Sequence, residues 1–320
     1  MRRALLLAVA GALALGGCGP SDGGGSADDG TLILDFTPNA VHVGIYTALA
    51  REFDDAEGVK LRVRAPSSST DSVRLLQSGR AEFAILDIAD LALARQQGRD
   101  VVGVMALVQK PLAAVIAQRD VRTPRDLEGR RAGVAGLPSD TAVLRSVVAG
   151  AGGDPDRVDQ VTIGFNAVPA LLGRRVAAAT AFWNAEGVAL RERGGPGRFR
   201  EFRVDEFGAP SYPELVLCVT RETLDEEPDL VDSAIAALRR GYEEALRDPE
   251  LAAETLVRRN RGLDRELVLA ELRALGPAFT SGARRYGELD RVRLEAWAKW
   301  AKEFGLVRER PDVASAFRLR

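Results

Sequence analysis

One histidine, His42, and two cysteines, Cys18 and Cys218, are all that this 320-residue chain offers to soft metals. That set cannot build a zinc centre, and it leaves no Cys–His pair for nucleophilic catalysis. Lysine is almost missing as well: Lys60, Lys110, Lys299 and Lys302 stand among 44 basic residues, and arginine supplies the rest. A net charge of −2 excludes the basic face that nucleic-acid binding requires. Aromatic residues make up only 6%. No apolar run is long enough to cross a bilayer, which takes roughly 20 residues. With 46% hydrophobic and 28% charged residues, what remains is an ordinary globular composition, enough for one large or two medium domains.

The longest apolar run, 4–15, follows Arg2 and Arg3 and ends in Leu15-Gly-Gly-Cys18. A basic start, a short apolar stretch and small residues before a cysteine mark an export signal. The pattern resembles the lipobox of bacterial lipoproteins, which implies cleavage after residue 17, lipidation of Cys18 and attachment to the outer face of the cell membrane. The Gly/Ser/Asp stretch beyond it, to residue 31, reads as a flexible tether. Cys218 is then left without an intramolecular partner. Its apolar strand-like surroundings, 214–220, make it a buried thiol.

Past the tether, an apolar run of strand length at 32–34 leads into Asp35-Phe-Thr-Pro-Asn39 and then a helical pattern through Val41, Ile45 and Leu49. Thr37 can cap that helix and Pro38 suits its first position. Ligands in open α/β sheets sit beyond the carboxyl ends of strands, at turns of this kind. Asp35, Phe36, Asn39 and His42 are therefore candidate ligand contacts, although Asn39 can equally cap and His42 equally pack. Ser68 and Ser69 precede another helix, where free backbone N–H groups also point at a ligand. Asp87 ends the next strand. At 182–188, Phe-Trp-Asn-Ala-Glu-Gly-Val places Trp183, Asn184 and Glu186 at a strand-to-helix turn. Phe36 and Trp183 are candidates to stack on a ring. Glu186, as an ionised acceptor, suits an amino group. No residue set demands catalysis, a metal or a cofactor.

Strand and helix patterns alternate as two β-α-β series, 32–109 and 110–221, separated by a break at Gln109-Lys-Pro111. Four helical segments occupy 222 to 320, and Leu294, Trp297, Ala301 and Phe304 share a face of the last. Taken with Val108-Gln-Lys-Pro111, Asp126-Leu-Glu-Gly-Arg-Arg-Ala-Gly-Val134 and Tyr212-Pro-Glu-Leu-Val216, the turn motifs resemble the substrate-binding lipoproteins of ABC importers related to the thiamine-pyrimidine precursor proteins. The resemblance runs from about 32 to 317. It departs at Phe36, where Trp is typical. It implies a type II periplasmic-binding-protein fold: α/β, two lobes each with a mainly parallel sheet, and a helical C-terminal tail. Lobe 1 would comprise 32–109 and 222–320, lobe 2 110–221, with hinges near 108–111 and Thr220. The resemblance also implies a monomer that binds a small heterocycle between its lobes and hands it to permease and ATPase subunits, touching the membrane through its lipid alone. An aminopyrimidine, a flavin-type ligand, and sulfonate or nitrate are the solutes such proteins take. A pyrimidine synthase shares the fold but carries a Cys-rich run that this chain lacks.

Overall fold

Runs of alanine and branched aliphatic residues too short for helices build two five-stranded sheets in the computed structural model, which describes residues 28–68 and 71–319. The leader, Cys18 and Ser69 lie outside the described residues. The strands are β1 (Asp28–Ile33), β2 (Val59–Arg64), β3 (Phe83–Asp87), β4 (Val101–Ala106), β5 (Ala113–Gln118), β6 (Arg131–Val134), β7 (Asp159–Thr162), β8 (Ala178–Phe182), β9 (Phe199–Arg203) and β10 (Leu215–Thr220). The first strand begins at Asp28, inside the stretch expected to be tether, because 28–33 pairs along the whole of β2.

The first sheet runs β2-β1-β3-β10-β4 and the second β7-β6-β8-β5-β9. In each, three neighbouring strands are parallel and the remaining two pairings are antiparallel. The two-lobed α/β architecture is as expected, with mixed sheets. β4 and β5 are buried along their whole length, and a strand covered on both faces can be apolar at every position.

One boundary is corrected. The stretch 214–220 was expected in lobe 2, with a hinge near Thr220, but β10 lies between β3 and β4 in the first sheet. The chain crosses out at 107–112 and returns at 208–214, so lobe 1 resumes at Leu215. An apolar run such as Leu-Val-Leu-Cys-Val fits either sheet, and distant partners decide. Cys218 sits inside it, fully buried and free of any disulfide.

Helices cover both sheets. Helix Pro228–Arg247 crosses helix Val43–Ala50 so closely that a Cβ on Gly241 would lie 2.2 Å from the Gly44 carbonyl oxygen. Tyr242, one residue on, donates its hydroxyl to the Val41 carbonyl at 2.8 Å. This contact fixes the turn at the head of β1. In the tail, helix Arg291–Glu303 buries Leu294, Trp297 and Ala301, and Trp297 and Trp300 pack on Tyr212 of the return crossover. Among the described residues no helix is long and apolar enough to cross a membrane.

Candidate functional site

The carboxyl ends of β1 and β3 face those of β6 and β8 across the gap between the sheets. A cavity of about 810 Å³, its mouth included, occupies that gap and is lined from both lobes. Five carboxyl groups reach it: Asp35, Asp87 and Asp90 from lobe 1, Asp140 and Glu186 from lobe 2. Among the described residues no arginine, lysine or histidine is part of the lining. Phe36 meets Phe165 of lobe 2 edge-on, with ring centroids 4.6 Å apart. Ser72 and Thr180 supply hydroxyls, and Ile85, Leu86, Phe182 and Leu215 supply apolar wall.

Asp87, Asp140 and Glu186 are held by backbone N–H groups, and Asp35 by a side chain. Asp35 follows β1 and accepts from Nε2 of the fully buried His42 at 2.9 Å. The other ring nitrogen, Nδ1, accepts the Asn39 N–H at 3.2 Å. Those two bonds assign a neutral imidazole with its proton on Nε2. Asp87 caps helix Ile88–Gln96 by accepting the Ala89 N–H at 2.7 Å, and Asp90 stands one turn further on the same helix. Asp140 accepts the N–H groups of Gly136 and Leu137, each at 3.1 Å, and the Thr180 hydroxyl at 3.3 Å. Glu186 accepts the Phe182 N–H at 3.1 Å, closing the turn after β8.

Burial without cations makes Asp87, Asp90, Asp140 and Glu186 reluctant to ionise. Asp90 is pushed up to about 7, chiefly by burial and further by the charges of Asp140, Asp35 and Glu214. Burial raises Asp140, and its backbone hydrogen bonds offset part of that. Burial also raises Glu186, with Asp140 and Asp35 adding to it. Glu186 opens helix Glu186–Gly194, whose N-terminus favours a charged acid, but desolvation outweighs that. Behind Glu186, Glu271 accepts the Ala40 N–H at 3.1 Å and is raised to about 7 by burial.

Of the residues singled out in the sequence, Asp35, Phe36, Asn39, Asp87 and Glu186 line the cavity. Asn39 is committed locally, its side-chain oxygen accepting the Val41 N–H and its amide donating to the Thr37 carbonyl. Asn39, not Thr37, therefore caps the first turn, Ala40–His42. His42 does not line the cavity and acts on it only through Asp35. Ser68 is exposed and turned to Asp71. Trp183 does not stack in the cleft: its indole N–H donates to the Pro111 carbonyl at 3.0 Å, and the Arg203 guanidinium covers its ring at 4.1 Å. Asn184 is fully buried behind the wall. Asp90, Asp140, Ser72, Thr180 and Phe165 went unread as site residues. Asp90 had a signal, since it lies three residues after Asp87 on one helix face. Phe165, an aromatic between Gly164 and Asn166, had another.

Known proteins resemble the chain throughout. Residues 39–252 match the family described as "NMT1/THI5 like". A formylaminopyrimidine-binding protein of Halalkalibacterium halodurans is 31% identical over 229 residues, 71% of this chain and 69% of that one. A 4-amino-5-hydroxymethyl-2-methylpyrimidine phosphate synthase of Legionella pneumophila is 26% identical over 71% of this chain and 72% of its own. Among solved structures, the alkanesulfonate-binding protein SsuA of Xanthomonas axonopodis pv. citri superposes with a TM-score of 0.73 at 17% identity, covering 91% of this chain and 98% of that one.

Proposed function

The chain belongs to the NMT1/THI5-like family, and from that premise we propose that it is the extracytoplasmic solute-binding lipoprotein of an ABC importer, binding an amino-bearing pyrimidine of the thiamine-precursor type in the interlobe cleft. One observation carries the ligand class. Five carboxyl groups and three phenylalanines line the cavity, and among the described residues no cation does. Ionised carboxylates only accept hydrogen bonds, so they suit an exocyclic N–H₂, while Phe36 and Phe165 offer apolar faces to a flat ring. A relative 31% identical is named for a formylaminopyrimidine. In this reading Asp35, Asp87, Asp90, Asp140 and Glu186 receive the ligand's donors, and His42 orients Asp35. Cys18 carries the lipid, and permease and ATPase subunits receive the solute.

The same lining argues against sulfonate or nitrate, whose charge would face acids. Against a synthase stands the absence of a Cys-rich run from the sequence. A thermal-shift screen tests the reading. The melting temperature should rise with 4-amino-2-methylpyrimidine and stay unchanged with taurine or nitrate. Stabilisation by either anion, with none by the pyrimidine, would reverse the assignment.

A further inference from the structure

Glu214 is 2% exposed and lies on the return crossover, yet its side chain holds the outgoing one. One carboxylate oxygen accepts the N–H groups of Leu112 at 2.7 Å and Ala113 at 3.1 Å. Its backbone carbonyl accepts the N–H of Ile88, the first residue of the helix that Asp87 caps, at 2.9 Å. Its carboxyl group also meets the carboxyl of Asp87, and Asp87 lines the cavity. A single buried side chain thus touches both hinge segments and the cleft wall.

Among the described residues no cation pairs with it. Arg293, the arginine bonded to the crossovers, donates to the Gln109 and Ser281 carbonyls and reaches Ser211. The titratable groups facing the pair are Asp90 from helix Ile88–Gln96, Asp205 from the turn after β9, and the Tyr212 hydroxyl, which is hydrogen-bonded to Glu214. Two adjacent carboxylates in such a place cannot both ionise, and one proton lies between them. Glu214 has two backbone donors for the charged form, so Asp87 is the acid: burial raises it far above the usual carboxylate range, and the charges of Glu214 and Asp90 raise it further.

We propose that Glu214 is a positioning residue through which the occupant of the cleft acts on the hinge: Asp87 and Glu214 share one proton, and a ligand donor seated on Asp87 passes it to Glu214. The proton leaves the Asp87 oxygen and binds a Glu214 oxygen, so the pair keeps one negative charge throughout. Asp87 gains the charge that an N–H donor favours. Glu214 becomes a neutral acceptor, and its bonds to Leu112 and Ala113 lose their charge-assisted strength. Seating the ligand therefore slackens the clamp between the crossovers, where the lobes turn about each other. The sharing of the proton stands on the contact between the two carboxyl groups; its transfer rests on the proposed reading that the ligand meets Asp87.

Infrared spectroscopy of the ligand-free full chain at pH 7.5 tests the sharing. Asp87→Asn should remove the carbonyl band of one protonated carboxyl, Glu214→Gln should shift that band as the partner becomes an amide, and the double variant should remove no more than Asp87→Asn. An Asp87-dependent band left unmoved by Glu214→Gln overturns the pair; Asp87→Asn alone leaving the spectrum unchanged does so too. Amide NMR tests the transfer. The Leu112 and Ala113 amide protons should move upfield when 4-amino-2-methylpyrimidine saturates the wild type and stay in place in Asp87→Asn. Stationary amides with ligand bound overturn it. If the compound does not bind, the proposed ligand class fails by itself. Acidifying the ligand-free protein must then produce the same upfield movement as Glu214 takes the second proton, and its absence rejects the link to the hinge.

Discussion

Asp90 shows how a single residue reports the chemistry of the whole cleft. Its carboxyl has an ordinary value of 3.8 and stands at about 7 in the unliganded protein. A group raised in this way stabilises the fold at pH values below its ordinary range and loses that contribution as pH climbs towards 7. A ligand donor favours the ionised form, so below pH 7 binding must expel the proton. The account predicts that affinity for an aminopyrimidine is greatest above pH 7 and falls as pH drops through it. The ligand-induced rise in melting temperature should be larger at pH 8 than at pH 5.5; a larger rise at pH 5.5 would contradict it. Glu186 faces the same cavity, and beyond its backbone N–H donors its carboxylate keeps acceptor capacity for a ligand. Glu186→Gln should weaken binding at least about tenfold, roughly 1.4 kcal/mol, with the melting temperature little changed. A loss of stability without a loss of affinity would make Glu186 only the closure of its own turn. The sequence marked Glu186 and Asp35 through their place after strands. It could not separate Trp183 from the cleft, because the partners that immobilise its ring, Pro111 and Arg203, are remote in sequence.

At the scale of elements, the strands and the four long C-terminal helices were legible, because their apolar spacing is local. The lobe to which β10 belongs was not. The residues of β10 are apolar at successive positions, so the pattern carries no face and no address. Its membership depends on pairing with 84–87 and 101–106, more than a hundred residues away. Asp90 was hidden for the opposite reason: a helix reading assigns an acid in the first turn to the helix itself, and only the approach of lobe 2 gives it another role. The crossing of helices Val43–Ala50 and Pro228–Arg247 yields an element-scale prediction. Gly241→Ala places a methyl against the Gly44 carbonyl, and the helices must move apart. Overpacking of this kind costs about 1–3 kcal/mol, so chemical denaturation should show a lower midpoint. Because Tyr242 holds the turn that carries Asp35, ligand affinity should fall with it. Wild-type stability in this variant would show that the helices are not in close contact.

Across the whole molecule, the same arrangement of three parallel strands and two antiparallel pairings occurs twice, and the two copies turn their strand ends towards each other. Duplication explains why one cavity gathers acids from both lobes: each sheet delivers the acidic turns beyond its own parallel strands. The lobes meet at Phe36 and Phe165 and are joined by the two crossovers, 107–112 and 208–214. Acids converging from two bodies repel until something with donors lies between them, which makes the occupant part of the closed form. The most direct test is calorimetry at pH 8 with 4-amino-2-methylpyrimidine and 2-methylpyrimidine, a pair that differs only in the amino group. The account predicts that the amino compound binds at least about tenfold more tightly, because its absence leaves buried carboxylates unpaired. Equal affinity for the two would contradict the claim that the carboxylates of the cleft choose the ligand.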